Sequence, residues 1–435
     1  MIRIVTADGR QETEFLEELR GRSAQTDAAV TQTVSEILAD VRARGEEAVR
    51  DYTRRFDGAA PAQFEIPRAQ WEAAAAGSDP AFLAALERAA ENIRAFHSRQ
   101  VRQSFIDTQA NGVLLGQRVR GLTRVGVYVP GGTAAYPSSV LMNVIPAKIA
   151  GVREIVMATP PSKDGSVNPD VLTAALVAGV DRVFAVGGSQ AIAALAYGAG
   201  SIPRVDKIVG PGNIYVATAK KLVYGAVDID MVAGPSEILI LADSGANPEF
   251  LAADLLSQAE HDRLASSILI TDDARIAQAT AEALERQLAA LPRAEIAAEA
   301  LRNYGGIIVA PDMDTAVRLA NEIAPEHLEV AAENPLTYIG RLDNAGSVFL
   351  GHYTPEPVGD YFAGPNHVLP TSGSARFFSP LSVDSFVKRS SFIYYPEEAL
   401  RGAAADIERI ARQEGLDAHA NAVAVRFAEQ EGKKR

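Results

Sequence analysis

The chain contains no cysteine among its 435 residues. Disulfides, thiolate metal ligands and cysteine nucleophiles are therefore excluded. Any metal must be held by histidine, carboxylate, amide oxygen or water. Histidine is scarce as well, with six in all. No apolar run approaches the roughly 20 residues that span a bilayer. The N-terminus, Met1-Ile-Arg-Ile-Val-Thr-Ala-Asp-Gly9, lacks a secretory pattern, so a cytoplasmic location is expected. Positive charge is in deficit, at a formal net charge of −13. That argues against nucleic acid and anionic membrane as partners, and leaves small nucleotide ligands open. There is no H-E-x-x-H helix, no G-x-S-x-G elbow, no P-loop and no G-x-G-x-x-G. Two common hydrolase classes are thereby disfavoured. Short repeats and low-complexity segments are also absent.

What is present reads as an α/β enzyme. Hydrophobic content of 47% and charged content of 22% are ordinary for a globular chain. The length calls for two or more domains. Residues 1–123 are expected to be mainly helical, with Asp27 capping Ala28–Arg42 and Pro80 opening a helix from Asp79 to Val101. This region is expected to pack with the second α/β domain. From Arg124 short apolar strands alternate with amphipathic helices, which indicates a parallel sheet covered on both faces. The pattern resumes at Glu237. Two Rossmann-like domains are predicted, 124–235 and 236–380, followed by a helical C-terminal segment, 381–435. The long polar stretch from Tyr353 to Phe378 is expected to be functional, and the tail 432–435 to fray.

Chemistry-bearing residues cluster in a few segments. Gln258 and His261 stand three apart on a predicted helix, a spacing that suits two ligands of one metal and also ordinary helical polar pairs. With Asp360 and His419 they form an N/O set suited to zinc or another divalent transition metal. Glu326-His327 follows Pro325 at a predicted helix end. It reads either as an acid/base pair or as a surface pair interacting with the helix dipole. Glycine turns follow predicted strands at Pro130-Gly131-Gly132, Gly187-Gly188-Ser189-Gln190 and Gly210-Pro211-Gly212-Asn213. Backbone N–H groups at such helix starts receive phosphate, although generic turns also use glycine. His97 reads as a structural histidine on its helix, and His352 as incidental.

Taken together, Gly126-Val-Tyr-Val-Pro-Gly-Gly132, Val186-Gly-Gly-Ser-Gln190, Gly210-Pro-Gly-Asn213, Ala233-Gly-Pro-Ser-Glu237, Gln258-Ala-Glu-His261, Ala324-Pro-Glu-His-Leu328, the run from Gly359 to Pro370 and His419 closely resemble the histidinol dehydrogenase family, in the same order over essentially the whole chain. The resemblance implies oxidation of L-histidinol to L-histidine through the aldehyde, the last step of histidine biosynthesis, with two NAD+ reduced. It implies one zinc ion per subunit, held by Gln258, His261, Asp360 and His419 and anchoring the substrate's imidazole and amino nitrogens. By the same likeness Glu326 and His327 are the catalytic pair. Ser236, His367 and Glu414 contact substrate alongside the zinc ligands and His327. Tyr128, Gln190 and Asn213 contact NAD+. The family is a homodimer whose C-terminal segment reaches the partner's site, which implies that Glu414 and His419 act in trans.

That assignment is chemically coherent. His327 suits the alcohol proton, and Glu326 suits activation of the water that hydrates the aldehyde. The missing cysteine agrees, because a hydrated aldehyde needs no thiohemiacetal. The alternatives are a same-fold dehydrogenase of another primary alcohol, such as a sulfonated diol, a zinc-dependent hydrolase, and a non-catalytic binding protein.

Overall fold

The computed structural model describes residues 2–24, 28–58, 60–131 and 136–431. The expected cap Asp27, the Gly132 of the first glycine turn and the tail 432–435 lie outside them. The chain divides into two compact units, Met1–Val101 with Gly121–Phe386, and Arg102–Arg120 with Val387–Arg435.

The first unit carries two all-parallel sheets. One runs, in spatial order, Arg182–Ala185, Glu154–Thr159, Arg124–Tyr128, Lys207–Val209 and Asp228–Ile229. In chain order this is 3-2-1-4-5, the Rossmann arrangement. The other runs Arg3–Thr6, Gly305–Val309, Ser266–Thr271, Glu237–Ala242, His327–Ala331 and Ser347–Leu350. Its last five strands repeat the 3-2-1-4-5 order, and the N-terminal strand is added at one edge. The inner strands are mostly apolar because helices cover both faces; Glu237-Ile-Leu-Ile-Leu-Ala242 is buried at every residue.

Helix starts follow local capping chemistry. Asn168, Asn247, Asp273 and Asp312 accept backbone N–H bonds at the starts of Pro169–Ala178, Pro248–Ala259, Ala274–Leu288 and Met313–Ile323. Asp79 caps Pro80–His97 in the same way.

The N-terminal helices depart from expectation. Ala28–Arg44 and Glu46–Asp57 pack on Gly188–Tyr197, Arg68–Gly77 packs on Pro169–Ala178, and Pro80–His97 packs on Pro137–Ile149. They therefore cover the first sheet, and only the strand Arg3–Thr6 and the helix Gln11–Ala24 join the second. The cause is an apolar stripe, Val30, Val34, Ile37, Leu38 and Val41, that shares a core with Ile192 and Leu195.

The second unit contains a three-stranded sheet in the order Val387–Tyr394, Leu114–Gly121, Phe105–Thr108, and a hairpin of helices Glu397–Gln413 and Asp417–Glu431. The strands were not foreseen in segments read as helical or irregular. Val387–Tyr394 buries almost nothing, so it shows none of the alternation that marks a half-buried strand. No described helix is long and apolar enough to cross a membrane.

Candidate active site

Glu326 and His327 lie at the amino ends of the central strands of the second sheet. Helix Met313–Ile323 ends at Ala324 in a left-handed conformation, φ 54°. This turns Pro325-Glu326-His327 straight into the sheet, where His327 opens the strand His327–Ala331 beside Ile238. His327 is thus a strand residue and not one at a helix terminus. Both side chains hold the backbone of one residue, Glu237, through its two flanking peptides. Glu326 Oε2 accepts the N–H of Glu237 at 2.9 Å, and His327 Nδ1 stands 2.9 Å from the Glu237 carbonyl. A carbonyl can only accept, so Nδ1 carries the proton and Nε2 is left as a base. Nε2 is buried without a hydrogen-bond partner, 3.9 Å from Glu356 Oε1 and 3.9 Å from Asp360 Oδ1. Burial lowers the proton affinity of His327 overall, against the opposing pull of Asp360.

Asp360 lies on the short helix Glu356–Tyr361, inside the stretch read as irregular. Burial would raise its carboxyl, but His367 and His327 beside it bring the balance below the usual range. His367 Nδ1 is 3.1 Å from the Asp360 carbonyl, and its Nε2 is 3.4 Å from Ser139 Oγ. Ser139 stands in the first turn of Pro137–Ile149, the helix after the first sheet's central strand. The carboxyl end of the first sheet and the amino end of the second therefore meet at His367.

Gln258 is 1% exposed and its Oε1 has no partner. His261 follows in the turn after helix Pro248–Ala259, with its N–H on the Gln258 carbonyl at 3.1 Å. The two are therefore not on one continuous helix, although the turn keeps them adjacent. His261 also acts electrostatically on both Asp360 and His327. An orphaned amide oxygen, an imidazole and a carboxylate fit a divalent cation. The tightest cluster of metal-ligating type among the described residues is His327, Glu356 and Asp360, whose atoms lie within 4.8 Å of one another. Only Asp360 is common to that cluster and the expected ligand set. Ser236, half-buried, directly precedes the strand Glu237–Ala242 at the same end of the sheet.

Glu356 escaped the sequence reading. It is buried, its carboxyl is pushed up to about 10 by burial and then by Asp360, and its N–H donates to Glu329 Oε1 at 2.7 Å. The available signal was its position four before Asp360, which places both on one face of a helical turn.

The dinucleotide candidates gather at the carboxyl end of the first sheet. Tyr128 ends the central strand, is buried, and its Oη accepts the Gly188 N–H at 3.1 Å. Burial pushes its phenol up to about 12. Gln190 is 1% exposed, and neither amide atom has a partner. Asn213 caps Ile214–Val223, its Oδ1 accepting from Tyr215 and Val216 at 3.1 and 3.2 Å. These three residues flank the point where the strand order reverses, the place open α/β sheets use for ligands. Glu414 and His419 belong to the second unit, at and after the link between its two helices.

Residues 20–427 match the family described as histidinol dehydrogenase. The chain is 53% identical to the histidinol dehydrogenase of Clostridium acetobutylicum over 427 residues, covering 98% of this chain and 99% of that protein. It is 56% identical to that of Listeria innocua over 417 residues, covering 96% and 97%. The crystal structure of histidinol dehydrogenase from Elizabethkingia anophelis superposes with a TM-score of 0.92 at 38% identity, covering 99% of each chain. The chain belongs to the histidinol dehydrogenase family.

Proposed function

We propose that the two sheets divide one reaction between them, with the dinucleotide on the first and proton transfer on the second. The enzyme oxidises histidinol in histidine biosynthesis with NAD+ as oxidant and zinc as resident metal. Tyr128, Gln190 and Asn213 hold NAD+, which supplies the hydride acceptor. Gln258, His261 and Asp360 hold zinc together with a His419, and the ion supplies the charge that fixes the far end of the substrate.

His327 Nε2 takes the hydroxyl proton of the alcohol as hydride leaves the carbon that bears it. Its tautomer is set by the Glu237 carbonyl, so the base is ready before substrate arrives. In the second oxidation Glu326 draws a proton from the water that adds to the aldehyde, and His327 again removes the hydroxyl proton. Ser236, His367 and Glu414 position the substrate. Burial of the pair limits escape of the aldehyde. The observation that carries this reading is the buried, unpartnered Nε2 of His327 beside Asp360. The test is a steady-state assay with L-histidinol and NAD+, counting NADH per histidine. Two per product supports it; no turnover by zinc-replete protein sinks it.

Glu414 and His419 come from the partner chain of a homodimer in this reading. Inactive His327→Asn and His419→Asn proteins, mixed and reassembled, should regain part of the activity. Verified heterodimers without recovery would exclude sharing.

A further inference from the structure

Helix Glu46–Asp57 delivers a carboxylate to the dinucleotide end of the first sheet. Its first residue, Glu46, accepts the Ser201 N–H at 2.9 Å, just beyond the C-terminal end of helix Gly188–Tyr197. The two helices pack side by side, and at about 1.5 Å per residue they are of similar length. The far end of the first, Asp57, therefore lies beside the start of the second, where Gly188 and Gln190 stand. A second anchor agrees. Gly58, in a left-handed C-cap at φ 82°, comes within 3.9 Å of Lys163 at the position of a β-carbon. Lys163 follows the carboxyl end of strand Glu154–Thr159. Asp57 also acts electrostatically on the Tyr128 phenol, after burial the next cause raising it.

Asp57 Oδ2 is buried and has no hydrogen-bond partner. Burial pushes this carboxyl up to about 6, so it is ionised at neutral pH. An ionised buried oxygen without a donor is costly unless a ligand supplies one. The amide of Gln190, in the first turn of helix Gly188–Tyr197, is unpartnered as well. Ribose hydroxyls are donors of the right kind, and in this strand order the half built from the first three strands takes the first mononucleotide.

We propose that Asp57 is a specificity-determining residue for the dinucleotide: its carboxylate accepts the vicinal hydroxyls of the adenosine ribose, and its charge turns away a ribose carrying a 2′-phosphate. The proposal rests on the reading that Tyr128, Gln190 and Asn213 hold NAD+. Asp57→Asn keeps the shape and removes the charge.

The test is fluorescence titration of zinc-replete enzyme with NADH and with NADPH in the absence of histidinol, alongside kcat/KM for both oxidised forms. Loss of a charge-assisted hydrogen bond should weaken NADH roughly tenfold or more. NADPH should bind as before or more tightly, so the preference narrows by at least that factor. An unchanged NADH-to-NADPH ratio overturns the proposal, whether neither ligand responds or both weaken together. Gln190→Ala separates the two readings. It should weaken both ligands alike. If it does and Asp57→Asn leaves the ratio fixed, the assignment of Asp57 alone fails. If Gln190→Ala affects neither, the dinucleotide reading fails at Gln190 while the Asp57 ratio is judged on its own.

Discussion

Lys220→Met should cost the first lobe about 4 kcal/mol, because it strands a buried carboxylate, and breaking such a pair from one side costs about 3–5 kcal/mol. The Lys220 and Asp230 side chains are 3% and 1% exposed and paired with each other. Both also hold Gly210. Lys220 Nζ donates to its carbonyl at 2.8 Å, and Asp230 Oδ2 accepts its N–H at 2.8 Å. Gly210 sits at φ 111°, where a β-carbon would fall 2.0 Å from the Tyr128 carbonyl, so this turn has no room to adjust. Removing the ammonium leaves the Asp230 carboxylate held by the N–H groups of Gly210 and Met231, at 2.8 and 2.7 Å. Trp71 is the chain's single tryptophan and is buried in the core of this lobe, which makes its fluorescence a local probe. With a urea slope of about 3 kcal/mol per molar, the midpoint should fall by about 1.3 M. Lys220→Met with Asp230→Leu should recover roughly half, since an apolar pair removes the stranded charge but leaves two backbone donors unmet. A Lys220→Met midpoint within about 0.3 M of the parent would refute this account of the pair.

Three other outcomes are expected. Gln258→Ala should lower bound zinc, measured by elemental analysis after dialysis against a weak chelator, by at least the 10- to 100-fold affinity loss typical of weakened metal sites; full retention would remove Gln258 from the ligand set. Gly346→Ala places a β-carbon 2.5 Å from the Glu326 carbonyl. It should cut kcat by roughly 100-fold, the scale of a 1 Å misplacement, and a fall in thermal midpoint without loss of kcat would contradict it. The third outcome concerns pH. Asp254 is pushed up to about 6 by burial, against the lowering pull of a hydrogen bond from Glu329, and Glu329 is pushed well above its usual value by burial and then by the charge of Asp254. The native state then holds protons that the unfolded chain has released above about pH 4.5, so stability falls as pH rises, by about 1.4 kcal/mol per pH unit for each such proton. Glu329→Gln should flatten the fall of the thermal midpoint as pH rises above about 4.5, and a slope equal to the parent's would refute the assignment.

Much of the first lobe was legible because its signals are local. Pro137–Ile149, Pro169–Ala178 and Lys207–Val209 fall where composition places them, each bounded by Pro, Gly or a cap. The strand His327–Ala331 was not legible as one. Its first residues read as the end of the preceding helix, and only the left-handed turn at Ala324 separates them. The unit-two strands gave no period-2 pattern because neither face of Val387–Tyr394 is buried. Glu356 and Asp57 were missed for a different reason. Beyond the spacing of Glu356 from Asp360, a single carboxylate in a polar segment carries no signal until the fold removes its partners, and that depends on contacts far away in sequence.

The two sheets share a strand order but use opposite ends. Tyr128, Gln190 and Asn213 stand at carboxyl ends, as the switch-point rule expects, whereas Ser236, Glu326 and His327 stand at amino ends. A hydride acceptor must reach the carbinol carbon and a proton acceptor the hydroxyl on that carbon. Two lobes that both offered carboxyl ends would each present a ligand crevice of the dinucleotide type. Here one lobe offers that crevice, and the other meets it with strand starts whose backbone groups are still available to orient side chains. The backbone of Glu237 shows what that gains. Its N–H and carbonyl, at the entrance of a fully buried strand, together hold Glu326 and fix the proton of His327 on Nδ1. At a carboxyl end the helix N-termini that follow the strands would stabilise negative charge and favour phosphate instead. The amino end of the second sheet is therefore the better place for a neutral imidazole base, and Ser139 beside His367 is where the first sheet's own helix start reaches it.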